Sequence, residues 1–414
     1  MIISLCNLVD NIIFILKLLC QYIKYKIHLI RFNDMVINIC EELIKVNYFY
    51  VKFLQWGIQD CYKIDSELKD YFKQFSTNVP YTDEDIDFEV LNKIKSHVES
   101  TNRELILYNN GVPINSGTVA LVFKGKLNET PVAIKLLRKN VHQKIKNGIN
   151  NVLNLLKIYN YILAFIYKPN TQLIDIINNN TELLLEQCFF DKEVENLEFF
   201  KKKMEQRKSI VIPEVYKEFT NISNKIIVMV FLEGHLFNNV KSYELGLYAE
   251  TIRMFVFECL FIHNSMHADL HFGNIILLDD YKIGIIDFGL VIYNSKKFTN
   301  RIFSIFLAIQ NVNIRLLLEN LMKILIIDEE HIKKVRPVLY ENSALILGSL
   351  EHMNIEDIIT LINLIRFIDV KLDPLLCKNL LSILSCLGML EKIGDRKPIK
   401  TSFSDYLKKT QLTI

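Results

Sequence analysis

The stretch MHADLHFGNIILLDDYKIGIIDFG, Met266 to Gly289, decides the fold that we predict for this chain. It carries a short acidic motif near each end and Asn274 between them. Asp269 can accept or orient the proton of an attacking hydroxyl or water, while Asn274 and Asp287 supply oxygen atoms of the kind that Mg²⁺ prefers. A carboxylate base and two oxygen ligands within a short segment are typical of phosphoryl transfer.

Both motifs follow patterns that have a defined chemistry. HADLHFGN, residues 267–274, fits H-x-D-L-x-x-x-N, the catalytic loop of protein kinases, at every fixed position. IIDFG ends in the D-F-G pattern, whose Asp is the main Mg²⁺ ligand, here Asp287. Alone, the first motif could be a polar loop with an N-capping Asp. The 18 residues from Asp269 to Asp287 leave room for a loop, a hairpin and a return to one site.

A third motif precedes these two. TPVAIKLL places Lys135 in the V-A-I-K pattern, where the lysine reaches the α- and β-phosphates. Upstream, NSGTVALVFKG keeps the spacing of a G-x-G-x-x-G-x-V loop, but of its three glycines only Gly117 is present. Less glycine stiffens the loop and gives the phosphates fewer close backbone approaches, so we expect an altered nucleotide grip. The predicted nucleotide-binding residues are Asn115, Ser116, Gly117, Thr118, Val119, Ala120, Leu121, Val122, Lys135 and, on a later strand, Met229.

The kinase pattern also needs an acid that pairs with Lys135. QCFFDKEVENLEFF reads as a helix with several acids, and Glu193 has the expected position upstream of the strand KIIVMVFLEG. A solvated helix glutamate is the alternative. The predicted catalytic set is therefore Asp269, Lys135 and Glu193, with Asn274 and Asp287 as metal ligands.

A transition-metal site is a second interpretation of the opening stretch. His267, Asp269 and His271 alternate along the chain, and such residues can bind one metal ion. That interpretation leaves Asn274 and Asp287 without a role, whereas the kinase interpretation uses all of them.

The pattern of elements predicts an α+β, two-lobed, protein-kinase-like fold. Residues 1–100 read as a helical N-terminal extension, 101–236 as a β-rich nucleotide-binding lobe with a helical insertion, and 237–414 as an α-helical catalytic lobe. IVIPEVYKEF and KIIVMVFLEG read as strands, and after about residue 245 only a hairpin around Tyr281 interrupts the helices.

Composition excludes some classes of protein. The net charge is +2, with 49 basic and 47 acidic residues, which gives no argument for nucleic-acid binding. None of the eight cysteines forms a C-x-x-C pair, which favours buried thiols in the cytoplasm or another reducing compartment. The apolar first thirty residues are interrupted before a full membrane span and lack a cleavage site, so we expect no signal peptide. Peripheral membrane contact through this N-terminal helix stays open.

The set VAIK, HADLHFGN and IIDFG resembles the protein-kinase-like superfamily, and two further segments resemble its UbiB/AarF-type atypical kinases. Phe49–Pro80 is similar to that family's Lys-x-Gly-Gln helix, with Lys52 and Gln55 retained and Leu54 in place of Gly. EQCFFDKEVENLEFFKK is similar to its Gln-x-Asp-Phe-x-x-Glu-Ala-x-Asn motif. The catalytic loop departs from the family at Leu270 and Phe272, which replace prolines. The resemblance implies ATP and Mg²⁺ as cofactors, a link to ubiquinone and lipid metabolism, and a cleft-gating position for Lys52 and Gln55.

The segment after D-F-G bears on the phosphoryl acceptor. It contains no A-P-E, which closes the peptide platform of protein kinases, and Ala268 stands where loop-regulated kinases carry Arg. The sequence therefore predicts an ATP-dependent, UbiB-like kinase or ATPase that acts on a small or lipid-like, isoprenoid- or quinone-related acceptor. A protein serine/threonine kinase with a degenerate activation segment and a nucleotide-binding pseudokinase scaffold are the alternatives.

Overall fold

The structure is a computed structural model of the chain. It describes residues 16–48, 50–51, 65, 67–68, 71, 79–163, 181–182, 184–237, 242–326, 329–352, 357, 360–361, 364 and 371–410. Helices and small, mainly antiparallel sheets alternate along these residues, which confirms the predicted α+β class.

Contacts divide the chain into two compact units. Unit 1 consists of Met1–Phe190 and Tyr216–Met229, and unit 2 consists of Asp191–Val215 and Val230–Ile414. The division predicted from the sequence, into segments 1–100, 101–236 and 237–414, stays a prediction.

Unit 1 contains both helices and strands. Its described elements, with labels that run along the whole chain, are α1 (Phe32–Val46), α2 (Phe88–Ser100), β1 (Leu105–Leu107), β2 (Asn115–Ser116), β3 (Ala120–Leu127), β4 (Thr130–Leu137), α3 (Val141–Leu163), the first residue of α4 (Phe190–Met204), α5 (Lys217–Ile222) and most of β6 (Ile226–Val230). Residues 16–26 are also helical.

The sheet of unit 1 has the order β1-β3-β4-β6, with β2 paired to β3. β3 and β4 form a hairpin whose turn begins at Asn128, with φ +52°, a left-handed conformation that Asn tolerates better than most residues. Alternation in β4 turns Val132 and Ile134 to the core, where both are fully buried. The opposite face of the same strand carries Lys135.

Unit 2 begins within α4 and holds the rest of the chain. Its further described elements are β5 (Ile210–Val211), α6 (Ser242–Phe261), β7 (Ser265–His267), β8 (Ile275–Leu277), β9 (Ile283–Ile285), β10 (Val291–Tyr293), α7 (Lys296–Gln310), α8 (Ile314–Ile324), β11 (Leu325–Ile326), α9 (Glu329–Glu341), α10 (Ser343–His352), β12 (Lys371–Leu372), α11 (Pro374–Lys392) and α12 (Ile399–Thr410).

Two short sheets shape the opening stretch of the sequence. β8 and β9 form a hairpin across the turn Asp279–Tyr281, and β5 runs parallel to β9. β7 pairs antiparallel with β10, which follows D-F-G. The β5–β9–β8 sheet lines a hydrophobic cluster in which Phe200, Phe255 and Phe288 are fully buried, while Met266 of β7 and Ile292 of β10 belong to a second cluster.

Several elements differ from the sequence prediction. The hairpin around Tyr281 is confirmed, but the β7–β10 pair was not predicted. In IVIPEVYKEF only Ile210–Val211 is a strand, and its last residues begin helix α5, which buries Phe219 and Thr220. No described helix is both long and apolar enough to cross a membrane.

Candidate functional site

His267 ends strand β7 and connects the two acidic motifs. It is buried, and its Nε2 lies 2.6 Å from the backbone carbonyl oxygen of Asp287. Its Nδ1 accepts a hydrogen bond of 3.2 Å from the backbone N–H of Asp269. The β7–β10 pairing sets this geometry, because it places His267 opposite Val291. One imidazole therefore fixes the backbone of both motifs.

The two hydrogen bonds define the protonation state of His267. A carbonyl oxygen only accepts and an N–H only donates, so Nε2 carries the proton and Nδ1 does not. Burial lowers the pKa of His267 below 6.5, although the Asp287 carbonyl and the nearby carboxylates oppose this shift. We conclude that His267 is neutral and serves as a positioning group. With both nitrogen atoms engaged, it is not available for the alternative transition-metal site.

Asn274 lies in the short helical turn Phe272–Asn274, which ends the catalytic loop. Its side-chain Nδ2 donates to the backbone carbonyl of Asp269 over 2.9 Å. Its backbone carbonyl accepts from the N–H of Ile286 over 3.1 Å. The side-chain amide nitrogen is thus used within the loop, which directs Oδ1 away from that contact. Oδ1 is the atom of Asn274 that could bind a cation.

The D-F-G residues are held by their neighbours on both sides. The N–H of Gly289 donates to Oδ1 of Asp287 over 3.0 Å, which orients the carboxylate. Phe288 is buried and stacks on Phe200, with 4.6 Å between ring centroids. Asn196 donates to the Phe288 carbonyl over 2.9 Å and accepts a 2.6 Å bond from the Tyr293 hydroxyl. The Asn196–Tyr293 pair was not predicted from the sequence, in which its only signal is the place of Asn196 in the Gln-x-Asp-Phe-x-x-Glu-Ala-x-Asn motif.

Glu193 is buried in α4, beside the D-F-G glycine. A Cβ on Gly289 would lie 3.5 Å from Oε2 of Glu193 and 3.4 Å from Oδ1 of Asp287. Both are ordinary van der Waals distances, so the Glu193 carboxylate lies directly beside the D-F-G turn. Glu193 and Lys135 belong to different units, so their pairing stays a prediction.

These contacts bring Asp269, Asn274, Asp287 and Glu193 together in unit 2. Oxygen donors from one amide and one carboxylate fit Mg²⁺, which is usually held by one or two protein groups together with substrate phosphates. Among the described residues no group of three or more His, Cys, Asp or Glu could hold a metal ion without such help. The assignment of Asn274 and Asp287 as metal ligands stays a prediction, with which this donor set is compatible.

Unit 1 carries the predicted phosphate-binding lysine. Lys135 lies directly opposite Val122 in the β3–β4 ladder, so the two side chains share the face away from the core. The Lys135 ammonium also lies 5.3 Å from the centroid of the Phe190 ring. The strand register thus places the lysine beside the predicted nucleotide loop.

The predicted nucleotide-binding residues around Lys135 are mostly buried. Ser116, Thr118, Val119 and Ala120 are buried, and Ser116 is hydrogen-bonded to Val79. Leu121 is part of the core, so its side chain faces away from Lys135. Asn115 pairs with Val122 across β2 and β3, and Met229 is buried in β6. Arg138, which the sequence analysis did not single out, donates to Gly117. Lys52 and Gln55 lie outside the described residues.

Comparison with known proteins identifies similar sequences. A family model described as the ABC1 atypical kinase-like domain matches residues 78–321. An uncharacterized chloroplastic aarF domain-containing protein kinase of Arabidopsis thaliana is 28% identical over 194 residues, which are 44% of this chain and 35% of the relative. The chloroplastic protein ACTIVITY OF BC1 COMPLEX KINASE 3 of the same plant is 24% identical over 43% of this chain and 26% of its own length. The chain therefore spans only about a quarter to a third of these relatives.

Solved structures with a similar backbone include one from a bacterium. The complex of Rv3197 with erythromycin from Mycobacterium tuberculosis gives a TM-score of 0.47 at 18% identity. The superposition covers 71% of this chain and 76% of that one.

Proposed function

Because the chain belongs to the family of ABC1 atypical kinase-like domains, with their protein-kinase-like fold, we propose that it transfers the γ-phosphoryl group of Mg²⁺–ATP. Asp269 orients the attacking hydroxyl or water and receives its proton. Asn274 and Asp287 would hold Mg²⁺, which would neutralise charge on the β- and γ-phosphates, and Lys135 would bind the α- and β-phosphates.

The observation that carries this proposal is the double hydrogen bond of His267. Phosphoryl transfer needs little covalent chemistry from the protein, so most of the catalysis comes from positioning and electrostatic stabilisation. A buried neutral imidazole that holds the backbone of Asp269 and Asp287 fixes the base relative to the metal ligand before substrate arrives. Asn274 adds a second tie to Asp269.

We further propose that the acceptor is small or lipid-like, such as an isoprenoid or quinone-related molecule, with water as the acceptor of an ATPase reaction. Helix α7 begins directly after its N-cap Ser295, so only the six residues Leu290–Ser295 separate it from Gly289. Three of these six residues pair with β7. This connection leaves little chain for a peptide-docking platform after D-F-G.

Turnover of Mg²⁺–ATP by the purified chain tests the proposal. Asp269→Asn should lower the rate by about 10³-fold or more while nucleotide affinity changes by less than about threefold, because the side chain acts on the acceptor and not on the nucleotide. Asp280→Asn is the matched control, because Asp280 lies in the exposed β8–β9 turn at φ +57°, which Asn also adopts. It should retain wild-type turnover.

The assay also separates the alternatives. Phosphate release or transfer should rise when lipid vesicles and isoprenoid-quinone-like additives are present. Transfer to a protein substrate instead would favour the protein-kinase activity for which the first Arabidopsis thaliana relative is named. Nucleotide binding without any turnover would identify a pseudokinase scaffold, and equal rates in wild type and Asp269→Asn would refute the catalytic assignment.

A further inference from the structure

Arg138 is the first residue after strand β4, three positions beyond Lys135. Its side chain is completely buried, which is rare for an arginine in any protein. A guanidinium has five N–H donors in a fixed plane, so a buried one needs five acceptors in matching directions. The described residues around Arg138 supply all five.

Two of the five donors bind the predicted nucleotide loop. Nε donates to the backbone carbonyl of Gly117 over 2.9 Å, and one terminal nitrogen donates to the hydroxyl of Ser116 over 2.7 Å. The backbone N–H of Arg138 adds a third bond, 3.0 Å to the carbonyl of Val119. One residue thus holds three positions within the turn that replaces the glycine-rich loop.

The other three donors bind residues 79–85, which precede helix α2. They reach the carbonyls of Val79 and Pro80, at 3.1 and 3.0 Å, and the carboxylate of Asp85 at 3.2 Å. Ser116 also donates its hydroxyl to Val79 over 2.6 Å. The ring of Tyr48 covers the guanidinium, with 4.2 Å from its centroid to Cζ. Through Arg138 and Ser116, the loop is therefore connected to the backbone of Val79 and Pro80.

This arrangement sets the direction of the loop backbone. In a trans peptide the carbonyl and the following N–H point in opposite directions, and the described residues contain no cis peptide. Since the Gly117 carbonyl faces Arg138, the N–H of Thr118 faces away from it. Backbone N–H groups presented in this way are what kinase-type and P-loop sequences use to bind phosphates.

We propose that Arg138 is a positioning residue that holds the loop 115–120 ready for the phosphates of a nucleoside triphosphate. A glycine-rich loop can adjust its backbone to the ligand, whereas this loop retains glycine only at position 117 and so depends on an external anchor. Arg138 supplies that anchor without touching the nucleotide. The inference rests on the proposed ATP-dependent function, and it adds a residue that the kinase motifs do not contain.

Steady-state kinetics of Arg138→Lys and Arg138→Met test the inference. Lys keeps the charge but lacks the planar fork, and Met keeps neither. Both variants should therefore raise KM for ATP at least about tenfold while kcat changes by less than about threefold. Hydrogen exchange of the loop amides should accelerate in parallel. Arg103→Gln is the control, because Arg103 belongs to the same unit but pairs with Glu218 on a more exposed surface. It should leave KM unchanged.

Ser116→Ala decides the question if the Arg138 variants do not fold. It removes one loop contact of the guanidinium while Val79 remains an acceptor for the same nitrogen. KM for ATP should rise by about two- to fivefold with an unchanged kcat. A wild-type KM in folded Arg138 or Ser116 variants, whatever their melting temperature, would show that the cluster only stabilises the fold. Failure of the wild type to bind ATP would instead refute the proposed function.

Discussion

At the scale of single residues, Glu258 is a buried carboxylate of unit 2 that is stabilised by an ion pair. It lies in α6 and is almost inaccessible to solvent, and Nε of Arg207 lies 2.7 Å from Oε2 and 2.9 Å from Oε1. His263 lies 3.8 Å away. Burial alone raises the pKa of Glu258, but His263 and Arg207 outweigh it, so the pKa lies below 4.5. The folded chain therefore prefers the ionised form more strongly than the unfolded chain does.

The sign of the pH effect follows from this shift. Above pH 4.5 the carboxylate is ionised in both states and contributes its full stabilisation; as pH falls through the lower folded-state pKa, that contribution is lost. Glu258→Gln should lower the free energy of unfolding at pH 7 by about 1–3 kcal/mol, since Arg207 loses a buried partner. The difference from wild type should shrink in urea titrations as the pH falls below 4.5 and through the lower folded-state pKa.

Glu319→Gln is the matched control for this prediction. Glu319 pairs with Arg315 over 3.0 Å on an exposed face of α8, and such pairs contribute about 0–1 kcal/mol. Equal losses in the two variants, or a loss in Glu258→Gln that does not depend on pH, would show that the Arg207 pair is not the cause.

Single residues also show where prediction from sequence succeeds and where it stops. Asp269, Asn274 and Asp287 could be picked out because their spacing is local and their chemistry restricts the residue type. Arg138 could not, because a basic residue after a strand is ordinarily solvated. Its acceptors at Val79 and Pro80 lie more than 50 positions away in the sequence.

At the scale of elements, the helix of residues 16–26 carries an exposed apolar stripe. Leu16, Leu19, Ile23 and Ile27 recur at helical spacing, and about half or more of each is exposed. No acidic residue occurs between Asn11 and Asn33, whereas this stretch contains four basic ones. An apolar stripe beside cationic and aromatic residues is typical of helices that lie on anionic membranes.

We therefore predict that the chain sediments with vesicles that contain anionic phospholipid, and more weakly at high salt, which screens the attraction. The double change Leu19→Glu and Ile23→Glu should reduce the bound fraction at least about tenfold, because two charges would enter the acyl boundary. Leu345→Glu is the control, since Leu345 is similarly exposed but lies in α10. Equal binding by the double variant would mean that this helix is not the contact.

Elements with local signals were predicted, and those that depend on distant partners were not. The β8–β9 hairpin could be predicted because two apolar runs flank a polar turn within eleven residues, Ile275–Ile285. β7 and β10 have only three residues each and are separated by D-F-G and the hairpin, so neither shows a periodicity of its own. Yet their pairing is what sets His267 beneath the two acidic motifs.

At the scale of the whole molecule, the two units have separate cores. The apolar cluster of unit 1 includes Leu121, Ile134 and Phe219, and those of unit 2 include Phe288 and Phe403. The predicted ATP ligands are divided in the same way, with Lys135 in unit 1 and Asp287 in unit 2.

Mg²⁺ and nucleotide should therefore raise the melting temperature of the intact chain by mass action on the folded state. At a ligand concentration of 100 Kd the gain is about 2.7 kcal/mol, which corresponds to a shift of several degrees. Asp287→Asn should give a smaller shift, because it removes one ligand of the metal. The control Asp280→Asn should match wild type. A shift of equal size in Asp287→Asn, or none in wild type, would contradict the metal assignment.

The ring of Tyr48 on Arg138 has a consequence for communication along unit 1. The helix of residues 16–26 is linked to α1 by the ion pair of Lys17 with Glu42. Helix α1 leads directly to Tyr48, which covers the guanidinium that holds the loop 115–120. Binding free energies form a closed cycle, so any factor by which a lipid surface alters ATP affinity is also the factor by which ATP alters affinity for that surface. If this relay carries such a coupling, the fraction of chain on the membrane reports the ATP concentration, and the bilayer in turn acts as an effector of the nucleotide site.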